Sequence, residues 1–393
     1  MRICGIICEY NPFHNGHAYL LEKARAESGC NAIVCVMSGS FTQRGEIAVL
    51  DKYTRAEHAV QAGADAVLEL PAAFALSSAE LFAKGGVKLL CSLPDFSVLA
   101  FGCESGEKAD FLSAAAEAAE TESGKFKEIL HACMKAGKSF LRARQEAYAA
   151  EGKTEMAELL STPNNILGAE YAKALFAYGS GADILPVLRR GAGYSDTQLQ
   201  SGFSSATAIR RAVFEGKPSR LLRKNMPDFV ADDLNRCADP AAYKKIALYA
   251  AMSASAAKLR KTADCGEGLE NRIKAVASAT PDYDELIAKV TTKRYTSARI
   301  RRILAANALD IDGGFAQRCL RSQMYLKPLA VKKERANEML SVLARATAPL
   351  LARANDFSKI DKTAKESLEK DKLADEIFAL CSGTPVQNRP RFV

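Results

Sequence analysis

The chain has 393 residues, of which 48% are hydrophobic and 25% are charged. This length predicts about two or three domains, and the composition is near the globular average, which excludes wholesale disorder. No apolar run approaches the ~18 residues that a membrane-spanning helix needs, and no signal-peptide cleavage pattern follows the first residues. We therefore expect a cytosolic protein with no membrane partner. The net charge of +8 is compatible with a polyanionic partner.

The eleven cysteines are scattered and include no CxxC pair, which favours neither a disulfide framework nor a zinc ribbon. Cys4 and Cys8 precede His14 and His17, and together these four resemble a metal site. However, four residues of extended strand hold two thiols about 13 Å apart, which is too far for one tetrahedral zinc. We predict no metal site here and interpret both cysteines as small core residues.

Short apolar runs alternate with helical patterns in the first half of the chain. This alternation predicts an α/β fold, a doubly wound parallel sheet with helices on both faces. The predicted strands are 3–8, 32–37, 66–70, 98–101 and 184–188, and the main predicted helices are 17–27, 52–62 and 80–91. Residues 108–160, rich in Ala and Glu, are predicted to form a helical insertion before the last strand.

Helical periodicity replaces the strand signals in the second half of the chain. Gly216, Pro218 and Pro227 mark a boundary between the two halves. We predict a first domain over 1–225, a C-terminal all-α domain over 226–381 and a flexible tail over 382–393.

The most informative segment runs from Glu9 to His17 and reads EYNPFHNGH. It follows the first predicted strand, at the sheet edge where ligands bind in such folds. His14 and His17 are three residues apart at a helix start, so they share one face, and Gly16 has no side chain to block approach. Free amides, the helix dipole and two imidazoles suit nucleotide phosphates, particularly the charge on departing pyrophosphate. The alternative is a capped helix with two polar histidines.

Other residues at this sheet edge allow two interpretations each. Gly102 ends the fourth predicted strand, either as an ordinary turn or as a place where adenosine approaches the backbone. Arg189 and Arg190 end the fifth strand and suit a polyphosphate, although such pairs are usually solvated. Neither a P-loop nor a GxGxxG turn is present, so phosphate handling depends on the HxGH turn.

A basic segment, KRYTSARIRR, spans residues 293–302 and contains five basic residues, one aromatic residue and no acid. Its basic and aromatic members are Lys293, Arg294, Tyr295, Arg299, Arg301 and Arg302. Such a helix could bind RNA phosphates while the tyrosine stacks on a base, or it could be an ordinary solvated face. A smaller basic cluster covers residues 220–224.

Several longer motifs identify a family. They are EYNPFHNGH at 9–17, VMSGSFTQRGE at 36–46, DKYTRAE at 51–57, FGCES at 101–105, PNNILG at 163–168 and RYT at 294–296. Together they closely resemble the bacterial tRNA(Met) cytidine acetate ligase family, in the HxGH nucleotidyltransferase superfamily related to class I aminoacyl-tRNA synthetases. The resemblance covers most of the chain and implies a nucleotidyltransferase-like, Rossmann-like first domain.

The resemblance implies a two-step reaction. ATP and free acetate form acetyl-adenylate and pyrophosphate, and the acetyl group then passes to N4 of the wobble cytidine of elongator tRNA(Met). ATP is then a substrate, Mg²⁺ is expected with it, and tRNA and acetate are the partners. No protein partner is predicted.

The resemblance also implies residue roles. His14 and His17 would be catalytic, stabilising the α-phosphate and the leaving pyrophosphate, and the basic segment would bind tRNA. The implied ATP contacts include the backbone of Ile7, Cys8, Glu9, Tyr10, Asn11, Pro12, Phe13, His14 and Asn15. The other implied contacts are His14 itself, Gly16, His17, Gly102, Asn164, Asn165, Arg189, Arg190, Ser205 and Thr207. Without the resemblance, Asn164, Asn165 and Ser205 would be interpreted as helix caps.

One residue departs from the family pattern, and two other functions stay open. Ser195 stands where a histidine is expected, which puts a contact role for its turn in doubt. The first alternative function is a small-molecule adenylyltransferase that has no RNA substrate. The second is a non-catalytic RNA-binding protein.

Overall fold

The structure is a computed structural model that describes residues 1–120, 124–191, 199, 202–385 and 389–393. A sheet with the strand order β5-β4-β1-β2-β3-β6-β7 forms its centre. The strands are β1 (Ile3–Cys8), β2 (Ala32–Ser38), β3 (Ala66–Leu70), β4 (Phe96–Cys103), β5 (Asp183–Leu188), β6 (Pro328–Val331) and β7 (Arg391–Phe392). The first five run parallel, so the predicted α/β class and its five strands are confirmed.

The burial of the central strands explains why the pattern of apolar residues predicted them. Every residue of β1, β2 and β3 is buried, as expected for parallel strands covered by helices on both faces. β1 lies between β2 and β4, so the strand order reverses there and opens a crevice at the carboxyl ends of β1 and β4. This crevice contains the site described below.

Helices cover both faces of the first five strands. In this half of the chain they are α1 (Asn15–Glu27), α2 (Lys52–Gln61), α3 (Ala72–Ala75), α4 (Ala79–Cys91), α5 (Lys108–Glu120), α6 (Gly124–Lys135), α7 (Phe140–Ala150), α8 (Thr154–Leu159) and α9 (Pro163–Ala177). The predicted helical insertion over 108–160 corresponds to α5 to α8.

The second half of the chain is mostly helical. Its helices are α10 (Ala206–Phe214), α11 (Ser219–Leu222), α12 (Asp228–Asp233), α13 (Pro240–Ser253), α14 (Ala256–Lys261), α15 (Leu269–Ala279), α16 (Tyr283–Val290), α17 (Ser297–Ala308), α18 (Phe315–Arg321), α19 (Ala336–Ala344) and α20 (Lys362–Ser382). Short 3₁₀ turns cover Leu234–Arg236, Lys333–Arg335 and Ala354–Lys359.

The prediction of an all-α domain over 226–381 is wrong at one place, β6. Strand β6 returns to the sheet and pairs antiparallel with β3, and β7 pairs with β6. The end of the predicted flexible tail is therefore ordered at residues 391–393, where the Val393 N–H donates to the Val331 carbonyl at 3.0 Å. A four-residue and a two-residue strand are too short to show a period in sequence.

Two buried apolar clusters lie on the two faces of the sheet. One joins Ile3 and Ile7 to α4, α9 and the helices α13 to α20, whereas the other joins Cys4 and Cys8 to α1, α2, α10 and α12. The interpretation of Cys4 and Cys8 as core residues is confirmed. Because the first cluster continues from the sheet into the later helices, the domain boundary near residue 225 stays a prediction.

No helix in the described part of the chain is both long enough and apolar enough to cross a bilayer.

Candidate active site

The two histidines of the HxGH turn form the amino-terminal cap of α1. His14 is the N-cap residue, and its Nδ1 accepts a hydrogen bond from the Gly16 N–H at 3.0 Å. In return, the His14 N–H donates to Nδ1 of His17 at 3.3 Å. The same helix end that attracts anions thus also fixes the orientation of both imidazoles.

These hydrogen bonds decide where each ring carries its proton. Because both Nδ1 atoms accept, each neutral imidazole holds its hydrogen on Nε2. The rings are stacked, with centroids 3.7 Å apart. Burial, followed by Arg189 and Arg210, lowers the pKa of His14 to about 3. Burial, followed by His14, holds the pKa of His17 well below its ordinary value. The pair is therefore neutral and offers two Nε2–H donors.

The protonation state can be measured directly. At about pH 5.5 an ordinary histidine is mostly protonated, but we expect His14 and His17 to remain neutral Nε2–H tautomers. Nitrogen-15 spectra of histidine-labelled protein distinguish the three ring states, and His14→Gln and His17→Gln assign the signals. Imidazolium signals from either ring at that pH would contradict the inferred electrostatics.

The structure gives Gly16 a role other than leaving space for a ligand to approach. A Cβ at this position would lie 2.9 Å from Cε1 of His14, so any side chain would push the imidazole out of its capping position. At Gly102, by contrast, the nearest atom to a Cβ would be Cγ of Arg189 at 3.6 Å, an ordinary contact. Protein packing alone does not require a glycine at residue 102, and this agrees with a role in leaving room for a ligand.

A cleft with a volume of about 220 Å³ opens beside the histidines, at the carboxyl ends of β1, β4 and β5. It brings together most of the residues predicted to contact the nucleotide. Those that line it are Ile7, Cys8, Glu9, Tyr10, Asn11, His14, Gly16, His17, Gly102, Asn164, Arg189, Arg190, Ser205 and Thr207. Ser205 also caps α10, where its Oγ accepts from the Ala208 N–H at 3.1 Å.

Four of the predicted nucleotide contacts, Pro12, Phe13, Asn15 and Asn165, do not line the cleft. Phe13 is buried against Tyr10, with ring centroids 4.9 Å apart. The Asn15 amide donates to the carbonyl of Gly202 at 2.8 Å and so ties α1 to the segment before α10. Through these contacts the side chains of Phe13 and Asn15 stabilise the turn. Their spacing in sequence does not predict this role.

Asn164 and Asn165 have different surroundings. Asn165 is fully buried, and its Oδ1 accepts from the Glu104 N–H at 2.9 Å while its amide donates to Oγ of Ser105 at 2.9 Å. Asn164 lines the cleft, and its amide donates to the Glu104 carboxylate at 2.6 Å. Of the two, Asn164 is the one placed to reach a ligand, and Asn165 shapes the turn after β4.

Sequence reasoning assigned no role to several residues that line the cleft. Arg44 and Gln43 come from the β2–α2 loop, residues 39–51, which carries the SGSFTQRGE motif. Arg210 comes from α10 and donates to the Asn11 carbonyl at 2.9 Å. The apolar part of the lining includes Phe82, Phe101, Leu167 and Tyr171. The family motif at residues 36–46 could have marked Gln43 and Arg44.

The cleft is strongly biased towards anions. Arg44, Arg189, Arg190 and Arg210 line it, whereas Glu9 is the one carboxylate among its described lining residues. Four guanidinium groups, the amino end of α1 and two neutral imidazoles together favour a polyphosphate. In the described residues no group of three His, Cys, Asp or Glu side chains could hold a metal ion. Ser195, where a histidine was expected, lies outside the described residues.

The predicted RNA-binding segment lies at the start of α17, and part of it is committed to contacts within the chain. Arg299 donates twice to the Asp264 carbonyl, and Arg302 pairs with the Asp264 carboxylate at 3.0 Å. Tyr295 donates its hydroxyl to Glu267 at 3.2 Å. Arg294 also pairs with that carboxylate at 2.7 Å, but both side chains are exposed.

The same helix lies next to the cleft. Gly45 of the β2–α2 loop packs so closely on α17 that a Cβ there would be 2.4 Å from the Arg301 backbone. The adjacent Glu46 lies 3.9 Å from Arg301 on one side and 3.6 Å from the cleft residue Arg210 on the other. A molecule bound along α17 would therefore be one loop away from the histidine pair.

Known proteins share this architecture. The family model for the HIGH Nucleotidyl Transferase matches residues 1–391. The fold and the HxGH site thus define a nucleotidyltransferase of this class. A tRNA(Met) cytidine acetate ligase of Caldanaerobacter subterraneus is 36% identical over 97% of this chain and 95% of its own length. Another, from Acetivibrio thermocellus, is 32% identical over 98% and 96%. The chain belongs to the tRNA(Met) cytidine acetate ligase family of enzymes, which confirms the resemblance.

Two solved structures extend this comparison. Apo Thermotoga maritima TmcAL matches with a TM-score of 0.91 at 29% identity, covering 100% of both chains. The same protein bound with alpha-thio ATP also matches with a TM-score of 0.91, at 28% identity over 100% of this chain and 99% of that one.

Proposed function

We propose that this enzyme uses ATP to activate acetate as acetyl-adenylate, releasing pyrophosphate, and transfers the acetyl group to N4 of the wobble cytidine of elongator tRNA(Met). The observation that carries this proposal is the neutral His14–His17 pair at the start of α1, in a cleft lined by four arginines. The names of the curated relatives and the nucleotide bound by TmcAL support it.

In the first step, an acetate oxygen attacks the α-phosphorus of ATP and the bond to pyrophosphate breaks. Negative charge grows on the departing phosphate oxygens, where donors aimed in advance are most effective. The Nε2–H groups of His14 and His17 supply such donors, and Arg189 and Arg210 add positive charge. The histidines need transfer no proton in this step.

Magnesium would enter with the nucleotide. Mg²⁺ usually keeps several waters and is held by one or two carboxylates together with substrate phosphates. The single carboxylate of the described cleft lining, Glu9, matches that pattern only weakly, so we assign the ion mainly to phosphate oxygens. It would offset phosphate charge during the approach of acetate.

In the second step, the cytidine amine must reach the acetyl group made beside the histidines. The position of α17 one loop away supports this, since RNA bound along the basic segment of residues 293–302 would lie near the mouth of the cleft. The apolar wall formed by Phe82, Phe101 and Leu167 suits a methyl group or a base and would help to keep water from the mixed anhydride.

Acetate-dependent exchange between ATP and labelled pyrophosphate tests the first step. With a panel of carboxylic acids, with and without tRNA, we expect acetate to support exchange best. Propionate should react more slowly, since one methylene in an apolar pocket is worth about 1–3 kcal/mol. Exchange that needs a phosphorylated small molecule in place of acetate would favour an adenylyltransferase. RNA binding without any exchange would favour a non-catalytic protein.

The proposed tRNA-binding surface can be tested at two basic residues that make few contacts within the chain. Lys293 is exposed, and the ion pair between Arg301 and Glu46 is long, at 3.9 Å. We expect Lys293→Gln with Arg301→Gln to weaken tRNA binding and to reduce the slope against log salt by roughly 0.7 per lost phosphate contact. Filter binding across a salt series measures both, with exposed Lys372→Gln as the control. An unchanged slope would place the RNA surface elsewhere.

A further inference from the structure

Glu9 is unusual among the cleft residues because it places a negative charge in a site built for anions. It directly follows β1 and is the one carboxylate among the described residues of the cleft lining. A site that only bound polyphosphate would gain nothing from this group, since it repels the phosphates. Its position therefore suits a role other than binding phosphate.

Two sets of hydrogen bonds hold Glu9 in place. The backbone N–H of Gln43 donates to its Oε1 at 2.6 Å, and the Gln43 amide is itself anchored on the Ser77 carbonyl at 3.0 Å. The Glu9 carbonyl accepts from the buried guanidinium of Arg55 at 2.6 Å, and that group also donates to Ser38 at 3.1 Å. These contacts fix the carboxylate and leave Oε2 outside the Gln43 hydrogen bond.

We propose that Glu9 is the general base for acyl transfer, taking a proton from the attacking cytidine amine through Oε2. This proposal rests on the proposed function. The amine nitrogen forms a bond to the acetyl carbon, and the bond from that carbon to the AMP phosphate oxygen breaks. AMP leaves with the electron pair, the N4 proton passes to Glu9, and Glu9 later returns it to solvent.

The surroundings of Glu9 suit a base. Burial raises its pKa, and the Gln43 N–H and Arg210 oppose this without cancelling it. A carboxylate with a raised pKa is a stronger base than an ordinary one. The charged and titratable groups that face it from neighbouring elements are Arg44, Arg55, Arg210 and Tyr171. Because the base must be ionised, transfer should slow as pH falls through the pKa of Glu9.

Glu9→Gln separates a base from a structural contact, because the amide oxygen still accepts from the Gln43 N–H. We expect single-turnover transfer from preformed acetyl-adenylate to tRNA to fall by about 10²-fold. Acetate-dependent pyrophosphate exchange should fall far less, since the implied nucleotide contact of residues 7–15 uses their backbone. The remaining transfer should lose the acid limb that the wild-type enzyme shows as pH falls through the raised pKa of Glu9. Glu22→Gln, at an exposed glutamate of α1, is the matched control.

Two outcomes would overturn this role for Glu9. Transfer by Glu9→Gln at the wild-type rate would show that no proton passes through this group. An equal loss of exchange and transfer would make Glu9 a contact of the nucleotide or its cation. If wild-type enzyme itself gave no acetate-dependent exchange, the proposed function would fail first, and this result would be visible before any variant was examined.

Discussion

Replacing His17 with alanine is expected to lower acetate-dependent pyrophosphate exchange by ~10²-fold or more, while ATP binding weakens much less. The difference follows from the geometry. The hydrogen bond from the His14 N–H orients the His17 ring. The Nε2–H of this ring stabilises negative charge most strongly as that charge develops on the leaving pyrophosphate. Exchange kinetics and equilibrium nucleotide binding, measured on the same preparation, separate the two effects.

His131→Ala serves as the control, because His131 is an exposed residue of the helical insertion. Its exchange rate should equal that of the unmodified enzyme. Equal losses of affinity and rate in His17→Ala would instead make the histidine a ground-state phosphate contact. Near-normal exchange in both His14→Ala and His17→Ala would rule out their assigned role.

Lys52→Met is expected to lower the free energy of unfolding by about 3–5 kcal/mol, the typical result of breaking a buried ion pair. Lys52 is fully buried and lies 2.5 Å from Glu69 and 2.6 Å from Asp375. Burial lowers its pKa, but these carboxylates outweigh that effect and hold the pKa well above its usual value. Methionine would fill the space but remove the positive charge that pairs with buried Glu69 and Asp375. Glu69 would keep its ion pair with Lys327 at 2.8 Å.

This buried network also joins distant parts of the chain. Asp375 of α20 accepts from the Ser40 hydroxyl at 2.7 Å, and Asp371 accepts from the Ala72 N–H at 2.7 Å. Denaturant titration measures the loss in Lys52→Met. Lys23→Met, which removes an exposed pair with Glu27, should leave the midpoint nearly unchanged. Similar midpoints for both variants would show that the network does not stabilise the fold.

The sequence predicted the parts of the fold whose signals are local. The runs at 3–8 and 66–70 are short, apolar and buried on both faces, so their limits coincide with β1 and β3. The sequence did not predict strands β6 and β7, because they are only four and two residues long. An ion pair between Arg391 and Glu57 also helps to hold β7 in place. Such strand pairing depends on which segments the fold places side by side, and the residues of the strand alone do not predict it.

The same distinction applies to the site. The HxGH turn could be interpreted from sequence because a helix cap is made by residues two and three positions apart. Arg44 and Arg210 join the cleft from separate elements, and only tertiary packing sets them beside the turn. Asn165 lies within a family motif, but the hydrogen bonds of its side chain shape the turn after β4, and its sequence neighbours do not predict this.

The most direct test of the account uses labelled acetate, ATP and elongator tRNA(Met), followed by digestion of the RNA and analysis of the nucleotides. We predict that the label appears on N4 of the wobble cytidine and that AMP forms in equal amount. A tRNA with uridine at that position should accept no label while exchange continues, because it lacks the amine. Label on ribose or on protein, or ADP in place of AMP, would contradict the account.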